Sequence, residues 1–348
     1  MLTIKNITDC RWDLVSLGEI LLRFDPGDRR IHTAREFMVW DGGAEYNVAA
    51  NASRVFRRRS AIVTALADNS LGHLAEELAR AAGVDVSLVL WRAGGSGTRN
   101  GLYFIERGHG LRPPASTFDR AGTAVSQLKA GDIDWQGIFT GGVRWFHTGG
   151  VFTGLSDTTP GVAAEAMIAA RDAGTIVSYD LNYRHSLWGE RGGRDAANSL
   201  NRELLPHADV VFGAFGFDST LSHYNEISFR RAGEKMIADF PNLKVVVSTL
   251  RETHSASRHD LGGVCLADGQ ILRSKDYTNM EVLDRVGSGD AFAAAFISSM
   301  LSSKDAQFAL DCGAAHGSLA MTTPGDVSMS TIDEVLALMQ GAGAGAKR

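Results

Sequence analysis

Asp284-Arg285-Val286-Gly287-Ser288-Gly289-Asp290-Ala291-Phe292, followed by an alanine-rich apolar run to residue 297, is the stretch on which the reading of this chain turns. A Gly-x-Gly turn here runs straight into a helix. Glycine lets a backbone approach a ligand closely. The amides that open a helix aim together at an anion, and the helix dipole adds to the attraction. Asp290 falls in the first helical turn, where it can accept a proton from a group lying beside that anion. Amide donors with an adjacent base are what phosphoryl transfer to a hydroxyl requires, because positioning and charge stabilisation do most of that catalysis. A glycine-rich turn with Asp290 as an ordinary first-turn acid would read the same, so the stretch does not stand alone.

Two other stretches accompany it. Gly42-Gly43-Ala44-Glu45-Tyr46-Asn47 is again a diglycine before a helix, able to set backbone and the Asn47 amide against a polyol, or to serve as a plain turn and cap. Asp180-Leu181-Asn182-Tyr183-Arg184 ends a buried strand. In open α/β sheets ligands bind beyond the carboxyl ends of strands, although a structural salt bridge would also explain these charges.

Working outward, residues 13–20 read as a strand, 21–40 as a polar loop, 44–56 as a helix, 61–66 as a buried strand and 71–82 as an amphipathic helix. That alternation predicts a parallel sheet with helices on its faces. Between 86 and 120 it breaks into short β-rich pieces (86–91 and 102–105) punctuated by glycines at 94, 95, 97, 108 and 110, which reads as hairpins of a small inserted sheet. Strands at 144–147, 176–180, 210–212 and 244–249, a helix at 160–173 and a hairpin at 264–272 follow. The chain is then helical from Gly289 with a break at Thr323-Pro324-Gly325, and its GAGAGAKR tail reads as frayed.

Composition excludes several classes. The chain has 348 residues and a formal charge of −5, so it carries no broad basic field for nucleic acid. Arg57-Arg58-Arg59 reads as a solvated helix end. Cys10, Cys265 and Cys312 are sparse and show no CxxC spacing, which fits a reducing compartment. No signal-like or membrane-spanning apolar run is present, so a cytoplasmic protein without membrane partners is expected. No Gly-Lys dipeptide offers a P-loop, and there is no G-x-S-x-G, H-E-x-x-H or zinc spacing. The GxGxx(G/A) match at 341–346 sits in the tail. His254 and His259 read as surface histidines of a polar loop. Glycine, at 39 residues, exceeds its ordinary share of roughly 7%.

The three stretches, in this order and at these distances, resemble the ribokinase-like (PfkB) carbohydrate kinases, and within them the 2-keto-3-deoxygluconate (KDG) kinases. The KDG-kinase likeness rests on Asp284-Arg285-Val286, Gly101-Leu102-Tyr103-Phe104, Asp119-Arg120-Ala121-Gly122, Leu181-Asn182-Tyr183-Arg184 with Leu187-Trp188 after it, and Pro324-Gly325-Asp326. The resemblance implies a three-layer α/β/α fold over 13–338 with a mostly parallel central sheet. It implies a β lid from roughly 21–41 and 86–120, and tails at 1–12 and 339–348. It implies ATP-dependent phosphorylation of a sugar acid's primary hydroxyl, with Gly287, Ser288 and Gly289 as anion hole and Asp290 as base. Gly42, Gly43, Asn47, Tyr103, Arg120, Arg184 and Asp326 would hold the substrate, and Thr249 and Arg251, with Gly287 and Gly289, the nucleotide. Arginine suits a keto acid's carboxylate through its planar fork. ATP and Mg2+ are the implied cofactors. The resemblance also admits a monovalent cation such as K+ and a homodimer paired through the lid. A kinase for a neutral sugar or nucleoside and a catalytically weak sugar-acid sensor are the alternatives. The sensor is motivated by a departure: where the family commonly shows Asn-x-x-Glu near its metal-phosphate cluster, this chain reads Gly213-Ala214-Phe215-Gly216-Phe217-Asp218, which leaves the metal ligands unknown. The nucleotide loop departs too, reading Ser248-Thr249-Leu250-Arg251-Glu252. Asp290→Asn is expected to lower kcat with little change in stability.

Overall fold

The computed structural model describes residues 2–95 and 97–341; the frayed-tail expectation for 342–348 lies outside them. In chain order the elements are β1 (Trp12–Leu17), β2 (Leu21–Asp25), β3 (Met38–Gly42), α1 (Ala44–Arg54), β4 (Ser60–Asp68), α2 (Ser70–Ala81), β5 (Val89–Ala93), β6 (Gly101–Glu106), β7 (Ala115–Asp119), α3 (Trp135–Thr140), β8 (Val143–Gly149) and α4 (Gly150–Thr153). They continue as α5 (Thr159–Asp172), β9 (Ile176–Asp180), α6 (His185–Trp188), α7 (Gly193–Leu204), β10 (Val210–Phe212), α8 (Glu226–Asp239), β11 (Val245–Ser255), β12 (Arg258–Ala267), β13 (Gln270–Arg273), β14 (Tyr277–Glu281), α9 (Ser288–Leu301), α10 (Ala306–Ala320) and α11 (Ile332–Met339).

The central sheet runs β13-β12-β11-β10-β9-β8-β1-β4-β5, with β14 also on β12. From β11 to β5 every pair is parallel, and the β12 pairings are antiparallel. Parallel strands covered on both faces read as continuous apolar runs rich in β-branched residues. That explains Val210-Val211-Phe212 and Val245-Val246-Val247, all buried. Side chains alternate across the sheet. Val15, Val63 and Val177 join a core with α3, α5 and α8, while Leu14, Trp145 and Val247 join a core with α1, α9 and α10. The fold is the three-layer ribokinase-like α/β arrangement expected from the resemblance.

A four-stranded sheet, β3-β2-β6-β7, stands apart. It differs from the expected lid at one segment. The piece at 86–91 does not belong to it, because β5 pairs in parallel with β4 (Thr64↔Val89) at the edge of the central sheet. The reason is the α2 crossover, which returns the chain beside β4. The glycines at 94–97 therefore mark the exit from the central sheet, not a hairpin of the small one. Residues 21–40, read as a loop, supply β2 and β3. The strand expected to end at 249 continues to Ser255, since β12 runs back along it and satisfies its backbone. His254 and His259 consequently lie in paired strands. His254 contacts Asp260 at 2.8 Å and His259 is buried rather than at the surface. Residues 2–11 are docked, not a free tail: Leu2 and Ile4 pack on the core, and Lys5 Nζ donates to Thr175 Oγ1 at 3.1 Å. Arg58 and Arg59 are likewise engaged, donating to the Ser298 carbonyl and to Asp13.

Candidate active site

The parallel sheet changes direction at β1, which has β4 on one side and β8 on the other. Ligand crevices of such sheets open outside the carboxyl ends of strands at this switch. Gly18 and Glu19 leave β1 there, Gly149 ends β8 and Asp180 ends β9. The amino ends of α1 and α9 meet at the same place. Asn47 Nδ2, in the first turns of α1, donates to Asp290 Oδ2 at 2.7 Å, in the first turn of α9.

Gly287 caps α9 in the left-handed conformation (φ 77°). A methyl there would overlap the Asp326 carbonyl oxygen, so both backbone angle and space require glycine. Ser288 Oγ donates to the Gly317 carbonyl at 2.9 Å, so its hydroxyl is engaged with protein and only its backbone N–H would be left to meet an anion. Gly289 lies under the Arg251 guanidinium; a methyl on it would come within 2.8 Å of Nη2. Asp290 is 8% exposed. Burial pushes its carboxyl up to about 7, with Asp180 and Asp326 adding to the rise; the Asn47 amide and Arg184 oppose it. A base that titrates near neutrality at the mouth of a helix is the arrangement general-base catalysis favours.

Further acids surround this pair. Burial raises Asp180 to about 6, while the Asn182 N–H (3.0 Å) favours its ionised form. Glu45 Oε1 accepts from the Phe152 N–H at 2.9 Å, and burial holds its carboxyl up at about 8. Burial raises Glu19 as well, against the Arg120 charge. Glu19 Oε2, Glu45 Oε2 and Asn47 Oδ1 are buried without hydrogen-bond partners. Three polar atoms left open in one crevice suit a ligand rich in hydroxyls, which can both donate and accept.

The predicted arginines frame the mouth. Arg120 follows β7 and reaches across from the small sheet, donating to Glu19 Oε1 at 2.8 Å and to Ser186 Oγ at 3.3 Å over the Phe118 ring. Arg184 and Arg251 are exposed. Thr249 and Arg251 lie in β11, and the Arg251 guanidinium reaches Gly289 at the amino end of α9.

Tyr103 and Asp326, expected to touch substrate, are engaged with protein. Tyr103 donates to Asp326 Oδ2, and Arg23 Nη1 donates to Asp326 Oδ1 at 2.7 Å. Asp326 Oδ2 also fills the space where Gly42 would carry a side chain, at 2.5 Å. Sequence reasoning missed Arg23, Glu19 and Glu45. A charge inside the apolar Leu21-Leu22-Arg23-Phe24 run and an acid within the diglycine stretch were the available signals. The segment 213–218 is an apolar tuck: Gly213 sits against Leu181, Phe217 packs on Phe229 at 4.9 Å, and Asp218 is exposed. Among the described residues, no group of three or more His, Cys, Asp or Glu side chains is arranged to hold a metal.

Residues 12–333 match the description pfkB family carbohydrate kinase. The chain belongs to that family. The kinase is 32% identical to a 2-dehydro-3-deoxygalactonokinase of Haloferax volcanii, over 97% of this chain and 99% of the relative. It is 25% identical to a 5-dehydro-2-deoxygluconokinase of Clostridium perfringens, over 90% and 88% of the two chains. The crystal structure of a 2-dehydro-3-deoxygluconokinase from Thermotoga maritima superposes with a TM-score of 0.85 at 33% identity, covering 94% of this chain and 99% of that one. No helix among the described residues is long and apolar enough to cross a membrane.

Proposed function

We propose that this kinase transfers the γ-phosphate of ATP to the primary hydroxyl of a 2-keto-3-deoxy sugar acid, most simply KDG to its 6-phosphate. The observation that carries the chemistry is Asp290: a buried carboxyl raised to about 7, bonded to Asn47 and placed at the amino end of α9. In this reading the open polar atoms of Asn47, Glu19 and Glu45 meet sugar hydroxyls. Asp290 takes the proton of the attacking hydroxyl, and the 287–289 amides with Arg251 receive the charge that develops on the phosphate. Arg120 and Arg184 supply the positive charge that favours an acid over a neutral sugar. The names borne by relatives at 32% and 33% identity, for the galactonate and gluconate epimers, support the same substrate class. Magnesium would enter on the nucleotide phosphates, using few protein ligands and neutralising charge there.

A coupled ATP-turnover assay over both keto-deoxy epimers, the corresponding aldonic acids, fructose, ribose and a nucleoside tests the proposal. Turnover concentrated on the keto-deoxy acids is expected. A higher kcat/KM on a neutral sugar would overturn the substrate class, and no turnover on any of them would favour a sensor.

A further inference from the structure

Arg23 lies on β2 with none of its side chain exposed, so it cannot touch a substrate. Three carboxylates converge on it. Nη1 donates to Asp326 at 2.7 Å, and Nη2 donates to Asp25 at 3.0 Å and to Asp284. The two partners outside β2, Asp284 and Asp326, are parts of the phosphate end of the crevice. Asp284 opens the turn that leads to Gly287: its Oδ1 accepts from the Val286 N–H at 3.1 Å and its Oδ2 from the Gly325 N–H at 3.3 Å. Asp326 lies against Gly42 through its carboxylate and against Gly287 through its carbonyl. Tyr103, on β6 of the same small sheet, holds the other Asp326 oxygen.

We propose that Arg23 is a positioning residue, whose fork joins Asp284 to Asp326 and thereby sets the 284–289 turn in register with the small sheet and with the diglycine turn. The assignment rests on the reading of the 287–289 amides as the phosphate site. Two observations favour positioning over plain stabilisation. Arg23 Nε is buried without a partner, a standing cost that an optimised structural bridge would avoid. Buried ion clusters are also poor sources of stability compared with apolar packing, and are best attested where they set register. A single guanidinium reaching both Asp284 and Asp326 has a geometry that a lysine's point charge cannot reproduce.

The test compares Arg23→Lys, which keeps the charge and loses the fork, with Tyr103→Phe, which removes one hydroxyl and keeps the ring stacked on Phe118 at 5.3 Å. Both are measured for Tm, for kcat and KM toward KDG and ATP, and for hydrogen exchange of a peptide spanning 284–290. Displacing reacting groups by about 1 Å can cost on the order of a hundredfold in rate, so Arg23→Lys is expected to lower kcat by between about tenfold and a hundredfold. Both KM values should change far less, and exchange should quicken at 284–290. Tyr103→Phe should show the same pattern, weaker, with a smaller fall in Tm. A folded Arg23→Lys enzyme with wild-type kcat and wild-type exchange overturns the proposal, as does a loss of Tm with kcat per folded molecule unchanged. If Arg23→Lys does not fold, Tyr103→Phe decides on the same readouts. The exchange measurement needs no substrate, so failure of the sugar-acid reading would appear as absent wild-type turnover and leave the coupling decided separately.

Discussion

Replacing Asp290 by asparagine should disable the enzyme and stabilise it. The sequence alone leads to the first effect with little change in stability; the burial of Asp290 replaces that second part with a gain. An ordinary aspartate near 3.8 is raised here to about 7, so between those pH values the folded state holds a proton that the unfolded chain has released. Stability of the wild type is therefore fully present below about pH 4 and falls as pH rises to about 7, by about 1.4 kcal/mol for each pH unit. The whole window amounts to at most about 4 kcal/mol. Asparagine does not titrate, and its amide oxygen can still accept from Asn47. Removing the Asp290 charge also relieves Glu45, whose ionisation Asp290 opposes. Urea denaturation of both proteins from pH 4 to 8 should show near-equal stability at the acid end. The variant should gain progressively towards neutrality and level off above pH 7. In the same preparations kcat should fall by about 10²- to 10⁴-fold, the usual worth of a general base. Equal stability at every pH would refute the strained-carboxylate reasoning. A gain in stability with kcat retained would refute the base.

The same carboxyl gives the pH dependence of turnover: kcat/KM, which reports the free enzyme, should rise with pH and level off above about 7, as Asp290 ionises. The groups acting on it include Asn47, Arg184, Asp180 and Asp326, with Glu45 and Arg251 also coupled to it, and Arg184 favours the ionised form. Arg184→Gln should therefore move the acid limb to higher pH, and a limb unmoved or shifted down would contradict that electrostatic account. Arg120→Ala should raise the KM for a keto-deoxy acid by about tenfold or more, the scale of a lost charge-assisted hydrogen bond, while scarcely changing weak turnover of neutral sugars. Equal effects on both would point to a lid role instead. Gly287→Ala, strained at φ 77° and overlapping the Asp326 carbonyl, should lose most activity and about 1–3 kcal/mol of stability; near-native denaturation and turnover would exclude the tight turn described.

What the sequence determined by itself is local. A helix opened by glycines, a strand of β-branched residues and an amphipathic period depend on neighbours a few positions away. The diglycine turn, the end of β9 and the amino end of α9 were therefore legible as three separate stretches, and their order pointed to the family. Which strands pair is a long-range matter. That is why 86–91 read as part of the inserted sheet although β5 lies beside β4, and why β11 read as ending at 249. The state of the charges is longer-range still. Asp290 is ordinary in its own stretch and is poised near neutrality because the fold buries it and sets Asp180 and Asp326 near it, against the opposing pull of Asn47 and Arg184. Tyr103 and Asp326 read as free to meet a substrate until Arg23, some 300 positions from Asp326 in sequence, closed on them. Desolvation and ion pairing depend on distance in space, and only the folded chain brings residues 23, 25, 284 and 326 to one guanidinium.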